Sequence, residues 1–223
     1  MQTLPFKNRE EAGRRLAEKL AVYKDNPDVV IIALPRGGVV LGRIIADALN
    51  APLDIVVPRK IGAPDNEEYA IGALTEDGGV VWNEIEKERY GDEILKIIVR
   101  REQKEAQRRL QLYRKGMSPR TLNDKIVILV DDGVATGYTI RSAIKTIKTF
   151  SPKKLSVALP GGPSDTLALL KKEVDDMIVL EAPAMFWAVG QLYQEFPQTS
   201  DEEVIQLLQS GFRPEFTPAK AGT

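Results

Sequence analysis

The chain has 223 residues, of which 43% are hydrophobic and 28% charged, and its formal net charge is −1. Such a balance allows a sizeable core and argues against a protein built mainly to hold nucleic acid. The sequence contains neither cysteine nor histidine, which excludes disulfides, thiolate metal sites and catalysis by either side chain. General acid–base chemistry must then come from Asp, Glu, Lys or Tyr, or proceed without a dedicated base. Without a signal-peptide pattern or an apolar run of membrane length, we expect a cytoplasmic protein that does not bind membranes.

Helical patterns alternate with apolar runs along the chain. Helices are predicted at about 9–24, 39–49, 92–115, 139–150, 165–172 and 200–209. Strands are predicted at 29–34, 53–58, 127–132, 155–159 and 177–180. Asn8 with Glu11 and Ser200 with Glu203 are typical of capped helix starts. Apolar strands that alternate with helices predict an α/β fold, a parallel doubly wound sheet with helices on both faces, and ligands then bind beyond the carboxyl ends of the strands.

The most informative segment is the one from Val127 to Thr139, with the sequence VILVDDGVATGYT. A buried strand runs into two adjacent carboxylates, and a loop of small residues and threonines then leads into a helix. The backbone N–H groups at such a helix start favour an anion. The carboxylates repel a phosphate, but they suit hydroxyl groups or a divalent cation beside one, so a sugar phosphate fits both. The alternative is an ordinary strand-to-helix turn, with Thr139 as its N-cap and both acids solvated.

This segment resembles the phosphoribosyl pyrophosphate (PRPP) signature of type I phosphoribosyltransferases. The resemblance implies that Asp131 and Asp132 contact the ribose hydroxyls or water molecules of a magnesium ion that arrives with PRPP. It also implies that the following loop binds the 5′-phosphate. The residues of that loop are Gly133, Val134, Ala135, Thr136, Gly137, Tyr138 and Thr139. A P-loop is excluded, because no Gly-Lys-Ser/Thr follows.

Two further basic segments follow strands and add to the resemblance. Arg36, Gly37 and Gly38 come after the first predicted strand, where two glycines and a cation suit a pyrophosphate group. The family has a pyrophosphate loop here, often with a strained peptide bond. Arg59 and Lys60 follow the second strand, and family members often use an Arg-Lys pair there for pyrophosphate, sometimes in the partner subunit. A homodimer is therefore one expectation, although adjacent cations at a strand end are also commonly just solvated.

The segment from about 61 to 120 is expected to be an insertion in the core. Residues 73–75 and 80–82 predict a hairpin around Asp77-Gly78-Gly79, which in the family is flexible and covers the site to exclude water. The long helix that follows carries many arginines. Because Glu105 precedes Arg109 by four residues, we interpret this helix as a solvated face rather than a nucleic-acid patch.

The C-terminal part, about 183–211, resembles the hood that covers the acceptor in the family. Phe186 and Trp187 are candidates to stack on a flat acceptor, with core packing as the alternative for Phe186. Ala135 occupies the position where enzymes that use hypoxanthine or guanine have an aspartate base, which argues against those acceptors. The tail 212–223 is expected to be mobile.

The sequence therefore predicts one phosphoribosyltransferase domain over residues 1–223, with a core at about 1–182. Its expected reaction transfers phosphoribose from magnesium-bound PRPP to a nitrogenous acceptor and releases pyrophosphate. Asp131, Asp132, Arg36 and Lys60 are the expected catalytic residues. The alternative is a regulatory protein that senses PRPP or a nucleotide on the same fold without catalysing transfer.

Overall fold

A computed structural model describes residues 5–119 and 121–210. Helices α1 to α7 span Arg9–Lys19, Gly37–Leu49, Glu84–Lys87, Asp92–Arg114, Tyr138–Thr149, Ser164–Lys171 and Asp201–Ser210. Strands β1 to β8 span Val29–Ala33, Leu53–Ile55, Arg59–Ala63, Asn66–Leu74, Val81–Trp82, Ile126–Val130, Lys154–Gly161 and Asp176–Glu181. Short 3-10 helices lie at Ala21–Tyr23 and Val189–Leu192. In these ranges, no helix is long and apolar enough to cross a bilayer.

The central sheet has five parallel strands in the order β2-β1-β6-β7-β8. From β1 the chain passes to β2 on one side, whereas β6 pairs with β1 on the other side, with Ile31 opposite Ile128. This reversal of strand order is the switch point of a doubly wound sheet, outside which ligands bind. The predicted fold class is confirmed, and the loops that follow β1 and β6 are neighbours at this point.

Two hydrophobic cores cover the two faces of the sheet, and alternate residues of β1 contribute to each. Ile31 belongs to the core that includes residues of α1 and α2, whereas Ile32 packs in the core that includes α5 and α6. All five residues of β1 are buried, as expected for a strand with helices on both faces. This burial makes the strand a rigid support for the loop at its carboxyl end.

A second, antiparallel sheet, β3-β4-β5, lies between β2 and β6 in the sequence. The predicted hairpin is confirmed, since Ala73 pairs with Val81. The prediction for its flanks was wrong in two respects. The strand expected at 53–58 ends at Ile55, and a separate strand begins at Arg59. No strand was predicted between Gly62 and Gly72, yet this stretch lies largely in β3 and β4, whose pairing is irregular near Gly62. Its Gly, Pro and acidic residues leave no alternation of apolar and polar residues to indicate a strand.

Helix α4 packs against the antiparallel sheet and carries ion pairs on its surface. The predicted pair of Glu105 with Arg109 is present at 2.8 Å, and Arg108 donates to the same carboxylate. The hydrogen bonds from Arg108 and Arg109 lower the pKa of Glu105 to about 2, and the bond from Arg108 has the larger effect. The pairing agrees with the interpretation of α4 as a solvated face.

The C-terminal segment returns to the N-terminus instead of lying apart. Phe6 forms a parallel bridge with Tyr193, and the N–H of Gln194 donates to the carbonyl of Phe6 at 2.8 Å. Helix α7 follows, with Ser200 accepting from the N–H of Glu203 as predicted. Gly211 and the tail 212–223, expected to be mobile, lie outside the described residues.

Glu76, beyond the end of β4, gives the antiparallel region a pH-dependent element. Its carboxylate is buried and accepts the N–H of Val57 at 2.8 Å, and burial raises its pKa above the ordinary value. At a pH below the ordinary pKa of glutamate, Glu76 is protonated in both the folded and the unfolded state. Its contribution to the free energy of unfolding is then fully present. As the pH rises towards the folded-state pKa, the unfolded state loses its proton first and stability falls.

Replacing Glu76 by Gln should remove this dependence, because glutamine mimics the protonated acid. We expect Glu76→Gln to match the wild type near pH 4 and to unfold at a higher temperature at pH 7 to 8. Each kcal/mol of added free energy of unfolding should raise the melting temperature by roughly 2 to 4 °C. Thermal unfolding from pH 4 to 8 measures this, with the exposed Glu93→Gln as a control. A constant difference across this range would contradict the assignment.

Candidate active site

The loop after β6 joins a buried strand to the start of α5. The strand ends at Val130, Asp131 and Asp132 follow it, and α5 begins at Tyr138. Its N-cap is Gly137, with a φ of 81°, a left-handed conformation that costs glycine little. The first N–H groups of a helix have no partners within the helix. A helix start thus follows the two acids as predicted, and its N-cap is Gly137 rather than Thr139, the N-cap of the alternative turn.

The two motif carboxylates differ in their surroundings. Asp131 Oδ1 accepts the N–H of Asp132 at 2.9 Å. Burial raises the pKa of Asp131 well above its ordinary range, and the negative charge of Asp132 raises it further. Asp132 instead forms a salt bridge of 2.8 Å from its Oδ2 to Nε of Arg9. The two acids therefore differ: the surroundings raise the pKa of Asp131, whereas Asp132 is paired with a cation.

The loop after β1 lies directly against this pair of acids. Gly37 begins α2, and a Cβ placed there would overlap Oδ2 of Asp132 and come within 2.7 Å of Nε of Arg9. A Cβ at Gly38 would stand 3.0 Å from Cα of Asp131. The peptide bond between Pro35 and Arg36 is cis. Both glycines are thus needed for the close approach of the two loops.

Arg36 lies at the edge of this loop and is half-buried. Its Nη1 is 3.6 Å from Oδ1 of Asp201 at the start of α7. The same oxygen accepts a hydrogen bond of 2.7 Å from the hydroxyl of Tyr113 on α4. Burial, followed by the effects of Asp201, raises the pKa of Tyr113 to about 12. Arg36 therefore faces the site while it is paired with a carboxylate that a bound anion could replace.

The two loops enclose a cavity of about 390 Å³. Of the predicted residues, those that line it are Arg36, Gly37, Asp131, Asp132, Gly133, Val134, Ala135, Thr136, Gly137 and Thr139. The cavity is thus lined by the N-terminal ends of two helices, by the two arginines Arg9 and Arg36, and by two carboxylates. This arrangement can hold two anionic groups with a hydroxyl-bearing or cationic group between them.

Other predicted residues lie elsewhere. Arg59 donates to Glu102 of α4 at 2.7 Å, and Lys60 to the carboxylate of Glu68 at 3.2 Å. Neither lines the cavity, nor do Gly38 and Tyr138.

In the hood, Phe186 is partly buried against the main core, which agrees with the core-packing alternative. Trp187 is 84% exposed and does not line the cavity. The 3-10 helix that follows places Val189 in the cavity wall instead.

Several residues of the cavity wall were not predicted: Arg9, Pro58, Val189, Gln198 and Thr199. No role was predicted for Tyr193, yet its hydroxyl donates to the backbone oxygen of Asp132 at 2.6 Å. The sequence does contain a signal for Arg9. Arg9 follows the N-cap Asn8, so it places a cation in the first turn of a helix, where it opposes the helix dipole.

These features define a doubly wound α/β protein with a cavity of mixed charge at the switch point of its sheet. The sequence model of the family described as "Phosphoribosyl transferase domain" matches residues 3–194, and the chain belongs to this family.

Relatives agree with this assignment. Two proteins of Mycobacterium tuberculosis, from strains CDC 1551 and H37Rv, bear the name "putative phosphoribosyl transferase" and are 39% identical over 210 residues. The match covers 93% of this chain and 47% of theirs, so the chain spans about half the length of the curated relatives it matches. The solved structure of TT1426 from Thermus thermophilus is 35% identical with a TM-score of 0.77, and the match covers 93% of this chain and 99% of TT1426.

Proposed function

We propose that this chain binds PRPP and transfers its 5-phosphoribosyl group to a nitrogenous acceptor with release of pyrophosphate. One observation carries the proposal: the loops after β1 and β6 meet at one cavity, with the carboxylates of Asp131 and Asp132 between two helix starts. PRPP has the matching order of groups, since its ribose hydroxyls lie between a monophosphate and a pyrophosphate.

Each part of the cavity has a role in this reaction. The loop 133–139 binds the 5′-phosphate through N–H groups and threonine hydroxyls. Arg36 and Gly37 bind the pyrophosphate. As the bond from ribose C1 to the pyrophosphate oxygen breaks and the bond to the acceptor nitrogen forms, the ring becomes cationic. The carboxylates of Asp131 and Asp132 stabilise this charge, and the acceptor's proton passes to solvent.

The carboxylates of Asp131 and Asp132 fit a magnesium ion that arrives with PRPP better than a metal ion that the protein holds by itself. Among residues 5–119 and 121–210, no group of three or more Asp or Glu side chains is placed to hold a metal ion. Magnesium commonly binds through one or two carboxylates together with substrate phosphates, which Asp131 and Asp132 suit. When bound, it neutralises the pyrophosphate charge.

Calorimetric titration with PRPP, with and without magnesium, tests the donor site. We expect magnesium-dependent binding, followed by pyrophosphate release when a panel of nitrogenous bases and amines is supplied. Absence of PRPP binding would overturn the proposal.

A second candidate is a protein that senses PRPP or a nucleotide without transfer. It is favoured by the positions of Arg59 and Lys60, which are paired with Glu102 and Glu68 rather than facing the cavity. PRPP binding without pyrophosphate release across the panel would support this candidate.

Variants of Arg36 and Lys60 distinguish between two kinds of pyrophosphate site. One is already formed by the residues that line the cavity, and the other is completed when the hairpin moves. We expect Arg36→Ala to weaken binding of inorganic pyrophosphate by about tenfold or more, the scale of one lost charge-assisted contact. Lys60→Ala should leave binding within about twofold, because Lys60 lies outside the cavity. Titration of both variants measures this, and an equal loss in Lys60→Ala would mean that the hairpin closes over the ligand.

A further inference from the structure

Arg9 joins the motif to the hood through three contacts of one planar cation. Its Nε donates to Oδ2 of Asp132 at 2.8 Å, and its Nη1 donates to the carbonyl of Pro197 at 2.6 Å. The guanidinium carbon lies 3.8 Å from the centroid of the Phe196 ring. The side chain is only 10% exposed. Arg9 is thus buried between a carboxylate on one side and the C-terminal segment on the other.

The local sequence does not favour a buried cation at this place. Arg9 is the first residue of α1, where the helix dipole favours negative charge, and Glu10 and Glu11 occupy the rest of that turn. Burial of an arginine is tolerated when its donors are paired. The tertiary contacts with Asp132, Phe196 and Pro197 therefore account for its position, whereas helix formation does not.

The segment that Arg9 holds is also part of the cavity wall. Gln198 and Thr199 line both the main cavity and an adjoining one of about 140 Å³, and Arg9 lies on the wall between the two. Tyr193, in the same segment, donates to the backbone oxygen of Asp132. Residues 192–199, which we call the hood segment, are thus attached to Asp132 at two points.

We propose that Arg9 is a positioning residue that holds the Asp132 carboxylate and the hood segment in one arrangement. The acid that faces the donor and the wall that faces the acceptor are then ordered together. The identity of the ligand rests on the function proposed above, but the coupling between Asp132 and the hood segment does not. Only a forked, planar cation can contact carboxylate, carbonyl and ring at once.

Hydrogen exchange in the ligand-free protein tests this coupling without any assay of activity. The N–H groups of Gln194 and Glu195 donate to the carbonyls of Phe6 and Lys7, so peptides that cover 192–199 report opening of the hood segment. We expect Arg9→Gln to speed their exchange by roughly tenfold, while peptides from β6 and β7 exchange as in the wild type.

Two further variants test whether the planar fork of Arg9, and not only its positive charge, holds the hood segment. Arg9→Lys retains a cation for Asp132 but not the planar fork, so exchange of the hood segment should remain faster than in the wild type. Arg14→Gln is the matched control on the same helix, because Arg14 is 60% exposed and pairs only loosely with Glu10, at 3.6 Å. Wild-type exchange in Arg9→Gln, or full restoration by Arg9→Lys, would overturn the proposal.

Calorimetry extends the test to the ligand. We expect Arg9→Gln to weaken binding of magnesium-PRPP by about tenfold and to leave inorganic pyrophosphate within about twofold of wild type, because Arg36, the cation assigned to pyrophosphate, is paired with Asp201 rather than with Asp132. An equal loss for both ligands would contradict the positioning role. If the wild type itself does not bind PRPP, the proposed function fails, and the exchange experiment still decides the coupling.

Discussion

Replacing Asp131 and Asp132 together by Asn is expected to lower phosphoribosyl transfer by at least about 100- to 1,000-fold, the typical loss for one preorganised electrostatic group. The substitution keeps the shape of both side chains and removes the negative charges to which the proposed function assigns the ribose ring. It also deprives Arg9 of the anionic partner that lies 2.8 Å from its Nε. Magnesium-dependent binding of PRPP should fall as well, because both carboxylates face the cavity.

The chain offers a matched control for this double variant. Asp175 and Asp176 are also adjacent acids, but they lie where β8 begins, at the opposite edge of the sheet from the cavity. Asp175 accepts the N–H of Leu155, and Asp176 pairs with Lys154. Asp175→Asn with Asp176→Asn makes the same change in net charge and should leave turnover near wild type. Unchanged pyrophosphate release in the motif variant would refute the roles assigned to Asp131 and Asp132.

The second large effect is expected from a single methyl group at Gly37. A Cβ at this position would overlap Oδ2 of Asp132 and press on Nε of Arg9. Because both contacts are side-chain ends, Gly37→Ala should move the carboxylate and the guanidinium rather than unfold the core. We expect PRPP affinity to fall by about tenfold or more, equivalent to roughly 1.4 kcal/mol.

Titration of Gly37→Ala with PRPP, beside a thermal unfolding curve, measures the two effects separately. Gly91→Ala is the control, because a Cβ there meets no atom within 4 Å. Normal PRPP affinity in a folded Gly37→Ala variant would show that the contact between the two loops is not needed for binding. A large loss of stability with retained affinity would show that Gly37 serves packing alone.

Local sequence patterns predicted the parallel sheet because their signal lies in neighbouring residues. The apolar run before Asp131 predicts a strand end and a helix start within a few positions, and so do the glycines after Pro35. Since parallel strands end at one edge of a sheet, these two motifs could be placed at one site without any knowledge of packing.

The antiparallel sheet and the surroundings of its cations could not be predicted in the same way. The family resemblance assigned Arg59 and Lys60 to pyrophosphate, because they follow a predicted strand. In the structure a new strand begins at Arg59, and Glu102, 43 residues later, accepts its guanidinium. Such a pair depends on how α4 packs on the sheet, and charge at a strand end carries no information about it.

Short-range patterns in the chain were enough to predict the alternating strands and helices of the parallel sheet and the adjacent acids before a helix start, because these features depend on residues close together in the chain. Which charges surround those acids is set by long-range packing alone. Arg9 and Asp132 are separated by 123 positions, and their pairing requires α1, the sheet and the hood segment to pack together. Burial of Arg9 and the raised pKa of Asp131 follow from that packing, since both depend on segments that lie far apart in the chain.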